Sequence, residues 1–215
     1  MVLGALLLAG VSCSKSELKV SERETSLDVN YFTYSRYLLT TAIVGVAQQY
    51  GKGVTEEAKG EATLYFMDCY NGGSQVSALY GTRAQDWGYE DSNPYTNQLR
   101  YLASVKTMAT KEDNMANVAA ADILKCVVGG YLTEKYGDVP FSEANLGRDG
   151  NMFPKFDTQK EVYEQMFVLL DNAVSILSDA GSKGLPSNHD VLFSGDRQKW
   201  IKFANSLKFR LMVHS

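Results

Sequence analysis

Apolar residues recur at three- and four-residue spacings in five stretches, and each stretch predicts an amphipathic helix. The first covers 31–50, with Leu38, Leu39, Ala42, Ile43 and Val46 on its apolar face and Gly51 as its end. The second covers 98–110, with Leu99, Leu102, Val105, Met108 and Ala109. The third, within 114–136, is the strongest. Ala120, Ile123, Leu124, Val127, Val128, Tyr131 and Leu132 line one face, and Asp122, Lys125, Glu134 and Lys135 occupy the other. Gly137 and Pro140 stop it, since glycine takes the conformation that ends a helix and proline cannot continue one. Gly129-Gly130 inside this pattern costs roughly 1 kcal/mol per glycine against alanine. A second backbone packed close would explain the pair, so a tight helix crossing is expected there.

The fourth helix, 158–178, opens on Thr158 with Glu161 three residues later, a capping box. Val162, Met166, Leu169, Leu170, Ala173 and Leu177 form its core face, and Gly181 follows as a stop. The fifth, 197–213, has Asp196 as its N-cap and Trp200, Phe203, Ala204, Leu207 and Leu211 on one side. Lys199, Lys202, Lys208 and Arg210 fall off that stripe and read as a solvated face. The pattern reaches Ser215 without Gly, Pro or a cap, which reads as the N-terminal part of a longer protein. These helices predict a mainly α fold of packed helical pairs, the last three recurring at roughly 40-residue spacing as in helical repeats.

The remaining stretches are irregular. Residues 1–12, MVLGALLLAGVS, are apolar and end in small residues before Cys13. The run is too short for a membrane-spanning helix and resembles a secretory signal. A cysteine in that place resembles a bacterial lipobox, with Cys13 as the lipidated residue; an ordinary signal peptide is the alternative. Residues 13–30 are polar and mixed in charge and read as a flexible tether. Between 51 and 94, short helices and short strands fit equally well around the Asn71-Gly72-Gly73 turn. Within 81–97, GTRAQDWGYEDSNPYTN, a polar loop carries Trp87, Tyr89, Tyr95 and Asn97. A flat ring among polar side chains can stack on a sugar while its neighbours bind hydroxyls. The competing reading is that Trp87 turns inward and anchors the loop.

Composition narrows the function. The net charge is −4 with no Lys/Arg cluster, which argues against nucleic acid as a partner. Three cysteines are too few for a disulfide framework. Cys126 adjoins an apolar run and reads as a buried free thiol; Cys69 would pair with it only if the fold joined them. His189 and His214 are the only histidines and lack metal-type spacing. No phosphate-cradling glycine loop or nucleophile elbow occurs, so no cofactor and no enzyme activity are expected. Asp138 and Glu143 read as acceptors for loop amides after the third helix.

The segment from Tyr131 to Ala144, YLTEKYGDVPFSEA, resembles the helix-end motif of SusD/RagB outer-membrane lipoproteins. In that family an Asp-initiated helix and a Trp-Lys-Phe-Ala-Asn helix follow, similar to Asp157–Leu177 and Lys199–Leu211 here. The resemblance spans 31–215 and implies tetratricopeptide-like helical pairs with a loop-rich binding region. It further implies a surface lipoprotein of the outer membrane, anchored through Cys13, that binds a glycan or a peptide. The polar loop, rather than the resemblance, makes Trp87, Tyr89, Tyr95 and Asn97 candidate ligand contacts; the resemblance implies that a SusC-like TonB-dependent transporter receives the cargo. The alternative is a helical-repeat module that binds protein or peptide and has no role in import.

Overall fold

The third apolar pattern becomes the helix on which all the others pack. The computed structural model describes residues 34–55, 94–179 and 181–214. Cys13, Cys69, Trp87 and Tyr89 lie outside the described residues. Five α-helices follow in order: α1 Ser35–Thr55, α2 Gln98–Lys111, α3 Met115–Tyr136, α4 Gln159–Ser178 and α5 Arg197–His214. The fold is mainly α. Among the described residues the one extended pairing is an isolated antiparallel bridge between Val139 and Asp157. Each helix packs on the next, and α3 also touches α1 and α5. This gives helical pairs in two layers, with α1, α3 and α5 in one and α2 and α4 in the other.

The five sequence patterns match these helices, with three differences. First, α1 runs on to Thr55 rather than ending at Gly51. A glycine can stay helical where nothing forces a left-handed turn, at about 1 kcal/mol. Second, α3 has no polar side at Asp122. Sixteen of its 22 residues are buried, from Ala116 to Thr133, as befits a helix enclosed by its neighbours. Asp122 is among them, and Lys106 of α2 bonds its carboxylate at 2.8 and 3.1 Å. Third, the atoms nearest the gap at Gly129 are side-chain atoms. A methyl group there would sit 2.4 Å from Phe141 Cε2 and 3.3 Å from Met166 Sδ, so a ring from the following loop occupies the space. Gly130 similarly admits Leu211 of α5.

Polar side chains fix the helix ends. Asn114 accepts from the Asn117 backbone N–H at the start of α3. Thr158 and Glu161 form the capping box of α4. Asp196 Oδ1 accepts from the Gln198 and Lys199 amides at 2.9 and 3.1 Å to cap α5. Glu112 receives both the backbone N–H and the hydroxyl of Ser35, each at 2.6 Å, and so seats α1 against the α2–α3 turn. Asp190, buried before α5, accepts from the amides of Leu192, Phe193 and Gly195 and from Trp200 Nε1 at 2.8 Å. The basic residues of α5 are not all solvated. Lys208 pairs with Asp171 of α4 and Arg210 with Glu134 of α3. Cys126 is a buried free thiol whose Sγ–H donates to the Met166 carbonyl, and burial pushes its pKa up.

Candidate functional site

The connection from α3 to α4 is the most elaborate loop among the described residues, and one side chain holds its base. After Gly137, which ends α3 at φ 77° and ψ −116°, the chain leaves the bundle and returns at Asp157. Val139 and Asp157 exchange both backbone hydrogen bonds at 3.1 Å. The Asp157 carboxylate, fully buried, then reaches back across the neck. Its Oδ2 accepts from the amides of Phe141 and Ser142 at 3.0 and 2.7 Å. Its Oδ1 accepts from the Ser142 hydroxyl at 2.8 Å and from Lys155 Nζ at 3.1 Å. Burial alone would raise the Asp157 pKa; these hydrogen bonds outweigh it and hold the carboxyl well below the usual range. Phe141, clamped by this contact, inserts its ring against Gly129.

The loop beyond the neck is braced as well. Glu143 Oε2 accepts from the Asn151 amide group at 2.9 Å and from the Lys155 backbone N–H at 3.0 Å. Those bonds lower the Glu143 pKa. Asp138 accepts from the Gln159 N–H at 2.9 Å. Glu143 thus acts as the loop-amide acceptor expected from its position, whereas Asp138 accepts from the first amide of α4. A 3-10 turn at Gly147–Asp149 folds the tip. This held backbone presents three large apolar side chains to solvent: Phe153 at 92% exposure, Met152 at 71% and Phe156 at 70%. Exposed rings on a fixed frame are a costly arrangement unless something covers them. Asn151 and Lys155 place polar groups among them.

Of the residues singled out in the sequence, Tyr95 and Asn97 are described. They lie in the turn that leads into α2 and are both half-buried. Burial pushes the Tyr95 phenol up to about 12, with further contributions from the Asp157 charge and from Tyr136. Phe153 and Phe156 carry no helical period that marks them in the sequence. Their signal was the density of apolar residues in NMFPKF, a stretch with no helical period to bury them. Among the described residues, no group of three His, Cys, Asp or Glu side chains gathers as a metal ion would need.

Comparison with known proteins adds a family. The profile of SusD-like_2, described as starch-binding and associating with the outer membrane, matches residues 28–214. A SusD homolog from Bacteroides uniformis is 33% identical, with a TM-score of 0.53, over 62% of this chain and 27% of its own. A Bacteroidetes AC2a SusD-like protein is 28% identical with a TM-score of 0.66, over 82% of this chain and 32% of its own. A SusD/RagB family protein from Bacteroides thetaiotaomicron, 21% identical with a TM-score of 0.62, shares the fold. This chain thus spans roughly a third or less of the first two. No curated protein matches the sequence.

Proposed function

Because the chain belongs to the SusD-like family by a match from residue 28 to 214, we propose that it captures a glycan at the outer-membrane surface. In this reading Cys13 carries the lipid anchor, and a SusC-like TonB-dependent transporter receives the cargo. The observation that carries it is the braced α3–α4 loop with Phe153, Phe156 and Met152 facing solvent. Sugar rings have apolar faces that stack on aromatic rings, while their hydroxyls bond polar neighbours such as Asn151 and Lys155. In this reading Trp87, Tyr89, Tyr95 and Asn97 are further ligand contacts. Binding is reversible in this reading and invokes no catalytic group.

The test is electrophoresis in native gels containing soluble starch, with calorimetric titration of maltoheptaose. The wild-type chain should be retarded. The double variant Phe153→Ser, Phe156→Ser should bind at least about tenfold more weakly, since stacked rings contribute on the order of 1 kcal/mol each. Its melting temperature should not change. Undiminished binding by the variant, or no binding by the wild type, refutes the reading.

One observation favours a second reading, a peptide-binding helical module. Ile43 and Val46 of α1, Leu124 of α3, and Phe203 and Leu207 of α5 line an apolar groove of about 350 Å³. Such a groove fits the apolar face of a helix. Starch binding that survives Phe203→Glu, alongside loss in the loop variant, would decide for the glycan.

A further inference from the structure

A second concavity opens between α3 and the first half of α4, beside the start of the loop. It measures about 420 Å³ and is lined by Lys125, Ser142, Glu161, Glu164, Gln165 and Val168, with Leu169 behind. Lys125 is its unusual member. The side chain is half-buried, and its Nζ lies 4.4 Å from the centre of the Phe141 ring. That ring is its one close partner among the described residues; no carboxylate or carbonyl bonds the ammonium. Asp122, one turn earlier, is already taken by Lys106. A lysine withdrawn from water normally has an acceptor. Burial first, and then the Lys106 charge, lower the Lys125 pKa accordingly.

The walls define what would fit. Glu161 uses one oxygen, Oε2, for the Thr158 amide and hydroxyl at 2.7 and 2.9 Å, which leaves Oε1. Glu164 has only a loose contact with Lys160 at 3.9 Å. The Gln165 amide offers both a donor and an acceptor, and Ser142 Oγ can still accept while it donates to Asp157. An anion would meet Glu161 and Glu164, and a cation would meet Lys125. A neutral molecule with several hydroxyls satisfies both, because each hydroxyl donates to a carboxylate and accepts from an ammonium. Val168, exposed on the rim, offers an apolar surface to the carbon face of such a ring.

The geometry points to a saccharide subsite here, in which Lys125 and Gln165 donate to ring hydroxyls that in turn donate to Glu161 and Glu164. It rests on the glycan reading above for the ligand class and on none of the exposed loop rings for its contacts. Maltoheptaose is the probe. Calorimetry on the full chain gives the affinity, and proton–nitrogen NMR follows the Gln165 side-chain amide, assigned with Gln165→Ala. Lys125→Met keeps a flexible stem over Phe141 and removes the charge. We expect a saturable shift of the Gln165 signal in both the wild type and the Phe153→Ser, Phe156→Ser variant. Lys125→Met should bind about tenfold more weakly with an unlowered melting temperature. Calorimetric binding with an unmoved Gln165 signal overturns the subsite and leaves the loop reading intact. A saturable shift in the loop variant with undiminished affinity supports the subsite and overturns the loop reading. Absence of binding in both measurements overturns both.

Discussion

Replacing Asp157 tests whether one side chain holds the candidate binding loop. The Phe141 and Ser142 amides, the Ser142 hydroxyl and Lys155 converge on its carboxylate. In Asp157→Asn the remaining carbonyl can keep the two amides. The new amide group then faces the Lys155 ammonium, donor against donor, and the charge assistance is lost. Hydrogen bonds to charged groups contribute about 1.5–3 kcal/mol, so we expect a loss of that size at pH 7. Asp157→Ala strands two amides in the neck and should cost about 3–5 kcal/mol, a large part of the 5–15 kcal/mol typical of a domain. The pH dependence follows from the lowered Asp157 pKa. The unfolded carboxyl, with an ordinary pKa near 3.9, takes up a proton before the folded one does. The Asp157 contribution is therefore complete at neutral pH and fades as pH falls below about 4. Glu143 and Glu161, also lowered, tilt both proteins alike and cancel in the comparison. Urea denaturation of wild type and Asp157→Asn at pH 7 and pH 3 should show the gap narrowing. A gap under about 0.5 kcal/mol at pH 7, or one unchanged at pH 3, would refute the reasoning.

Three further changes probe the same frame. Gly129→Ala should destabilise by about 1–3 kcal/mol, because the added methyl meets the Phe141 ring at 2.4 Å; adding Phe141→Leu should recover part of the loss in the same urea titration. Gly137→Ala meets no atom within 4 Å, yet should still cost about 1–3 kcal/mol from its positive φ alone, measurable as a lower melting temperature with helix content unchanged. Trp200→Phe deletes the indole donor to the buried Asp190 and should cost about 1–3 kcal/mol, with near-ultraviolet circular dichroism reporting the loosened loop before α5.

The helices were legible because each buries one face and that face repeats. Thr158, Glu161 and Asp196 announced two helix starts for the same local reason. What depends on partners distant in sequence was not legible. Asp122 looked like a polar-face residue because its partner, Lys106, sits on another helix. Gly129-Gly130 signalled a close approach but could not name Phe141 as the occupant. Lys208 and Arg210 read as solvated because Asp171 and Glu134 are separated from them by a loop and a turn of the fold. At the candidate site, the acceptor role of Glu143 is legible from its place after a helix end, whereas the partner of Asp138 is the start of the next helix. Phe153 and Phe156 escaped notice because hydrophobic residues are sought by period, and rings held outward have none. Cys13, Trp87 and Tyr89 remain expectations of the sequence.

The Asp157 neck also separates two jobs along the chain. Phe141, Ser142, Lys155 and Asp157 fix the path of the loop, whereas the side chains of Met152, Phe153 and Phe156 contribute little buried area to the bundle. Substitutions at the tip can therefore be exchanged with little penalty to folding, within about 0.5 kcal/mol for exposed sites. Such an arrangement lets the exposed surface change while the scaffold stays the same. Swapping the tip residues between chains, with the neck left untouched, becomes a practical way to exchange that surface without refolding the scaffold.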